Sequence, residues 1–299
     1  MENVPTEDVL HRFVLERAGV RGAWVRLGSS WRDIAARAAY PDALRQLLGE
    51  SLAATALLTS PIKLDGALSL ELKSSGALRL LFAECTDQGR LRGLARWVDP
   101  LPEPLDLSTL PEAIMAITIG HADRGQRYQG LVDLQQPNLA SALATYFELS
   151  EQLPAVFVLA ADGEQAAGLM LQKLPVEGGR DAAQDEDAWP RVLQLTATLG
   201  AAELLAAAPE QLLFRLYHEE TVRMFEPRPL AFGCSCSRER VESMLRSLGR
   251  EEVEAALAAR DGEIEVICEF CAQRYTFDRI DAEHLLSDSA TASVPTTPQ

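Results

Sequence analysis

Four cysteines close to the C-terminus constrain the folding of this chain more than any other feature. They stand as C-x-C at Cys234 and Cys236 and as C-x-x-C at Cys268 and Cys271. Two helical patterns, SRERVESMLRSLG and REEVEAALAARDG, separate the pairs, and EIEVICEFCAQRYTFD around the second pair reads as strand–turn–strand. This small insertion can bring the pairs together. Four thiolates at tetrahedral positions suit zinc, which takes sulfur ligands at about 2.3 Å. Four protein ligands close the coordination shell, so such a metal is structural rather than a Lewis-acid catalyst. An iron–sulfur cluster is the other metal reading of a four-cysteine set. A segment of about 55 residues builds little core alone and needs a staple. A structural zinc supplies roughly 10–16 kcal/mol of apparent binding free energy that is also folding free energy.

The same spacing has a redox consequence. The ligands sit as close pairs, each able to oxidise to an intra-pair disulfide. A C-x-C disulfide closes a ring too tight for zinc-site backbone geometry. Oxidation and metal retention therefore exclude each other, which makes a switch between a folded thiol–metal state and an unfolded disulfide state.

Other reactive candidates are weaker. The fifth cysteine, Cys85 in LLFAECTD, reads as a buried structural thiol. His11, His121, His218 and His284 are scattered, and His218 in YHEE reads as a surface or capping residue on a helix. There is no P-loop, no G-x-S-x-G elbow, no H-E-x-x-H and no dinucleotide fingerprint. The chain is not expected to be an enzyme. The one enzymatic alternative is a thiol–disulfide oxidoreductase using the C-x-x-C pair, which needs a low-pKa thiol at a helix N-terminus.

The remainder reads as a folded α+β protein. Residues 13–16 and 21–27 are strand-like around a turn at Gly19, and SSWRDIAARA and then PDALRQLLGESLAATALLTS are helical. GALSLELKSSG, ALRLLFAEC and RLRGLARWV alternate apolar and polar residues as an antiparallel meander. AITIG and YQGLVDL are further strands, LASALATYFELSEQL a helix, and PAVFVLAADG with AGLMLQKLP a last strand pair. VEGGRDAAQDEDAW is acidic and Gly-rich, an exposed linker. Residues 189–225 then read as almost entirely helical, broken at Gly200 and Pro209, with leucines that must pack on something. EPRPL separates this stretch from the cysteines. The expected boundaries are 1–176 for an N-terminal α+β core, 177–231 for an acidic then helical linker, 232–287 for a small zinc-binding domain and 288–299 for a disordered tail.

Charge excludes several partners. The 299 residues carry 28 Lys+Arg against 44 Asp+Glu, a formal net charge of −16. Phosphate binding requires local positive charge, yet Phe232–Leu286 holds seven Arg against twelve Asp+Glu. Neither nucleic acid nor a membrane surface is an expected partner. No window of about 18 apolar residues exists, and MENVPTEDVL lacks the order of a signal peptide, so a cytoplasmic location is expected.

Several stretches together resemble the 33 kDa chaperonin family, redox-regulated bacterial heat-shock holdases. They are YPDALRQLLGESLAATALL, RLRGLAR, ITIGHADRGQRYQGLVDL, YFELSEQLP, LYHEETVRMFEP, FGCSCSRER and CEFCAQRYTFD. The resemblance spans almost the whole chain. It implies an ATP-independent chaperone that is inactive when reduced, with one zinc per chain on Cys234, Cys236, Cys268 and Cys271. It implies that oxidants drive Cys234–Cys236 and Cys268–Cys271 disulfides, release zinc and unfold the C-terminal domain. The helical linker then loosens, and a homodimer binds unfolding client proteins through the N-terminal domain. The helices of 189–225 would mask a client-binding surface in the reduced state.

Overall fold

In the strands nearest the N-terminus the apolar residues are too many for a sheet with one wet face, and the computed structural model shows why. It describes residues 7–121, 127–175, 187–260 and 262–291. The chain divides into two compact units, Met1–Gly233 and Cys234–Gln299.

The N-terminal unit opens with β1 (Val9–Leu15) and β2 (Val20–Leu27), joined through Gly19 at φ +62, a left-handed turn position that favours glycine. Helices α1 (Ser29–Ala35) and α2 (Asp42–Leu58) follow. The meander is β3 (Gly66–Lys73), β4 (Leu78–Thr86) and β5 (Arg90–Trp97), succeeded by β6 (Ile114–His121) and β7 (Arg127–Asp133). Helix α3 (Leu139–Tyr146) runs into a wider π turn over Phe147–Glu151, and β8 (Ala155–Ala161) and β9 (Ala166–Lys173) form a hairpin. Then come α4 (Ala188–Thr196), α5 (Ala201–Ala206) and α6 (Pro209–Tyr217), broken at Gly200 and Pro209 as their sequence requires. Three short strands end the unit: β10 (Val222–Met224), β11 (Arg228–Pro229) and β12 (Ala231–Phe232).

The strands form two sheets. One has the order β10–β1–β2–β9–β8, with β11 also on β1; the other runs β12–β5–β4–β3–β6–β7. Helix α2 packs against both. Its first turns expose Asp42 and Gln46, but from Leu47 to Leu58 every residue except Glu50 is buried, as an apolar helix between two sheets requires. Its buried hydroxyls bond back along the helix, Ser51 Oγ to Leu47 O at 2.7 Å and Thr55 Oγ1 to Ser51 O at 2.6 Å. A Cβ at Gly49 would stand 2.5 Å from the Ala161 methyl, so only glycine lets β8 come this close.

Strands β2 and β9 are buried on both faces. Ala23, Val25, Leu27 and Met170 face α2, while Val20, Trp24, Leu169 and Leu171 face Val192, Leu204, Leu212, Leu213 and Leu216 of α4–α6. The period-two alternation thus serves two cores, and the apolar helices of 189–225 lie on this sheet.

The structure corrects the far end of that helical reading. The helix stops at Tyr217, and Val222–Met224 is a strand rather than helix. Thr221 sits in the left-handed region at φ 55. The backbone of β1 takes the chain from there: Glu16 N and Arg17 N each donate at 3.2 Å to Thr221 O and Glu220 O, and Phe13–Leu15 pair with Met224–Val222. EPRPL is likewise more than a separator, since its Arg228 and Pro229 form β11 and pair with β1, and β12 directly after it pairs with β5.

Asp8 fixes the entry to α1. It is 4% exposed, and its carboxylate accepts hydrogen bonds from Gly28 N, from Ser29 Oγ at 2.6 Å and from Ser30 N at 2.9 Å. Asp8→Ala would strand these donors, and about 2–3 kcal/mol of stability should be lost. The check is a lower urea midpoint at unchanged slope.

The C-terminal unit contains α7 (Arg238–Leu248), α8 (Arg250–Ala259), the hairpin β13 (Ile264–Ile267) and β14 (Arg274–Phe277), and α9 (Arg279–Thr291). Ser237 caps α7 through Arg240 N, and Gly249 at φ +91 turns the chain into α8. Leu245, Val253, Leu257, Ile264, Phe277, Ala282, Leu285 and Leu286 make its core. Helix α9 takes in residues 288–291 of the expected tail; 292–299 lie outside the described residues, as do 176–186 of the expected acidic linker. Among the described residues no helix is long and apolar enough to cross a membrane.

Candidate metal centre

Two backbone devices present the four thiols. Cys234 and Cys236 lie in extended chain just before α7, where Arg240 Nη1 donates to Ser235 O at 2.7 Å and holds the residue between them. Cys268 and Cys271 lie in the turn of the β13–β14 hairpin. Cys268 N donates to Gln273 O at 2.9 Å and Ala272 N to Cys268 O at 2.8 Å, with Ala272 at φ 59 closing the knuckle. The register Ile267↔Arg274 leaves residues 268–273 for this turn.

The four Sγ atoms all lie within 4.8 Å of one another. The shortest separations run between the sequence pairs: 3.6 Å for Cys234–Cys268 and 3.3 Å for Cys236–Cys271. Tetrahedral sulfur ligands at about 2.3 Å from one ion stand about 3.8 Å apart, so four cysteines are positioned to bind a single metal ion. All four are half-buried. Among the described residues no histidine or carboxylate joins them. His218 instead hydrogen-bonds Phe214 O through Nδ1 at 3.2 Å and lies against the Phe214 ring at a 40° tilt, a capping role on α6.

The thiols are electrostatically unequal. Burial opposes ionisation of Cys236, but hydrogen bonds from Tyr275 and the neighbouring thiols outweigh it and bring it down to about 7. Burial, reinforced by the neighbouring thiols, pushes Cys271 up to about 12, and burial also raises Cys234. Tyr275 Oη donates to Cys236 Sγ at 3.2 Å, and that contact raises the phenol itself to about 12. A hydrogen bond to a ligating sulfur orients it and tunes its basicity. Sequence reasoning missed Tyr275 and Arg240. The available signal was position alone: Tyr275 lies on the strand leaving the knuckle, and Arg240 in the first turn of α7.

Cys85 is apart from this chemistry. It is fully buried on β4, and burial pushes its thiol up to about 11 despite Arg228 and Thr59 nearby. Only the thiolate attacks alkylating reagents, and its population grows as pH rises toward that value. The folded, reduced chain should therefore show no alkylation of Cys85 by iodoacetamide at pH 8. Unfolding in guanidinium should expose it, as peptide mass mapping will report.

Comparison with known proteins agrees with this arrangement. The family model described as Hsp33 protein matches residues 8–278. A 33 kDa chaperonin of Pseudomonas paraeruginosa is 45% identical over 282 residues, covering 94% of this chain and 95% of that protein. A 33 kDa chaperonin of Nitrosococcus oceani is 44% identical over 97% of this chain and 98% of its own. The crystal structure of a 33 kDa chaperonin from Thermotoga maritima shares the fold at TM-score 0.81 and 22% identity, covering 95% of this chain and 99% of its own. A family match across nearly the whole length, together with the four converging thiols, establishes that this chain belongs to the Hsp33 protein family.

Proposed function

We propose that this chain is a redox-regulated, ATP-independent holdase whose reduced form carries one zinc on Cys234, Cys236, Cys268 and Cys271. Its membership of a chaperone family supports the chaperone role. The observation that carries the redox reading is the convergence of four sulfurs within 4.8 Å in a unit with only a small core of its own. Sulfurs this close converge on one ion rather than on the separate irons of a cluster. Bound there, zinc would lock the hairpin knuckle to the C-x-C segment. Oxidation of Cys234 with Cys236 and of Cys268 with Cys271 would convert four ligands to two disulfides. Each disulfide formed gives two electrons to the oxidant. The C-terminal unit would then lose its staple, and a homodimer would capture unfolding proteins on the N-terminal unit. A switch that starts reduced suits the cytoplasm.

The sheet face formed by Phe13, Trp24, Leu169 and Leu171 supports the capture step, since α4–α6 cover it in this state. The oxidoreductase alternative fares worse. Cys268 and Cys271 occupy a hairpin turn and not the helix N-terminus on which such an oxidoreductase presents its attacking thiol.

The test joins two readouts. Peroxide with mild heat should release about one zinc per chain, measured with a chromogenic chelator, and should in parallel suppress aggregation of a chemically unfolded client. An oxidised, zinc-free sample that leaves aggregation untouched would sink the reading. Turnover in an insulin-reduction assay would favour the oxidoreductase.

A further inference from the structure

Three cations without an ion pair converge on one cleft of the N-terminal unit. Arg12 comes from β1, Lys63 from the turn after α2, and Arg228 from β11; they line about 460 Å³ together with the hydroxyls of Thr59 and Ser60. Asp87 is the one carboxylate on this wall. Arg228 Nη2 donates to Thr59 Oγ1 at 2.8 Å and approaches Cys85 Sγ at 3.7 Å, neither of them an acid. The Arg12 guanidinium lies over the Phe225 ring, 5.9 Å from its centroid. Elsewhere on this acidic chain arginines are matched to glutamates, as in Arg92–Glu84, Arg191–Glu220, Arg215–Glu203 and Arg223–Glu16. Among the described residues no acid forms an ion pair with Arg12, Lys63 or Arg228.

A second cleft of about 210 Å³ adjoins the first and shares Arg12, Ser60 and Pro61 with it. Its lining adds Val14, Phe225 and a second arginine, Arg21, while Phe13 and Met170 touch it only at their edges, each being 1% exposed. Phe225 is 38% exposed, and the Arg223 guanidinium also lies over its ring, at 5.0 Å. A cationic end beside an apolar annex is the lining of a small-molecule site, in which a few polar groups orient a largely apolar body. A structural role accounts for Arg228, which closes the C-terminal turn of α2 through Thr59, but not for the convergence of Arg12 and Lys63 upon it.

We propose that the joined clefts bind an organic phosphate, with its phosphate groups on Arg12, Lys63 and Arg228 and its flat apolar body against Phe225 and Pro61. Three positive charges exceed what one carboxylate neutralises, and guanidinium groups match phosphate oxygens in geometry and charge. Inorganic phosphate alone would leave the annex unused. The site also bears on the switch. Arg228 stands six residues before Cys234 in the chain, so a bound phosphate adds ties holding β11 to β1 and to the end of α2. That regulatory consequence rests on the holdase reading; the binding site does not.

The test is titration calorimetry on the reduced full-length chain with ADP, inorganic pyrophosphate and adenosine. ADP should bind tightest, pyrophosphate about tenfold more weakly, and adenosine without measurable heat. Lys63→Gln and Arg12→Gln, both at exposed side chains, should each weaken ADP about tenfold while far-UV circular dichroism stays unchanged. ADP should also slow hydrogen exchange of residues 224–230. No heat with millimolar ADP, or ADP affinity unchanged in both variants, would overturn the proposal. Pyrophosphate matching ADP would remove the apolar annex from it, and adenosine matching ADP would remove the cationic end. None of these outcomes depends on chaperone activity.

Discussion

Replacing Cys268 with serine is expected to unfold residues 234–286 while both sheets of the N-terminal unit persist. A serine hydroxyl does not replace a thiolate on zinc at neutral pH, and three remaining sulfurs leave the shell open. The C-terminal core amounts to eight buried residues around Phe277, too few to offset the ordering of this many residues without a staple. The loss is of the order of the zinc contribution itself, roughly 10 kcal/mol, far beyond what such a unit holds in reserve. Zinc content should fall from about one per chain to near zero, and trypsin should cut freely between Cys234 and Leu286. Client protection should appear without oxidant. A Cys268→Ser chain that keeps its zinc and resists trypsin would refute the assignment of the site.

Glu220→Ala is expected to loosen the helical layer over the first sheet. The Glu220 side chain is 3% exposed and accepts Arg191 Nε at 2.7 Å, tying the end of α6 to α4. Its carbonyl accepts from Arg17 N, which anchors the same point to the end of β1. Breaking a buried ion pair leaves its partner uncompensated at about 3–5 kcal/mol. Arg191 is 37% exposed and recovers part of that from water, so about 2 kcal/mol is the expected loss. That is a factor of about 30 in the population with the layer detached. Trp24, 1% exposed beneath these helices, should report the change by red-shifted fluorescence. Amides of α4–α6 should exchange correspondingly faster, and the oxidant needed for client protection should fall. Exchange rates matching wild type would show that this ion pair does not hold the layer.

The candidate site was legible because its chemistry is carried by residue type and spacing. Two short cysteine pairs around a hairpin admit few other uses, and the structure brings all four sulfurs together. The meander β3–β5 and the helix breaks at Gly200 and Pro209 were legible for a similar reason: alternation and turn chemistry are local. What was not legible depends on tertiary partners. Strands of two or three residues, such as β10 to β12, have no periodicity to read, and they exist because β1 and β5 offer backbone groups to pair with. Helix α9 was lost for another reason. Only Ala282, Leu285 and Leu286 of its described side chains enter the core, and the polar run that follows masks so short a stripe. Tyr275 was missed because its hydroxyl reaches Cys236 across the fold, 39 residues away in sequence.

The run of chain from Thr221 to Gly233 closes one border of each sheet in the N-terminal unit, β10 and β11 along β1 and β12 along β5. Its removal would bare two rows of backbone donors and acceptors at once, one on β1 and one on β5. Bare rows of this kind are templates on which separate molecules join sheet to sheet. A truncation made just before residue 221 should therefore polymerise, and one made after Gly233 should stay dispersed. For anyone dividing this protein into pieces, the safe cut lies next to the first cysteine and not at the acidic run where composition changes.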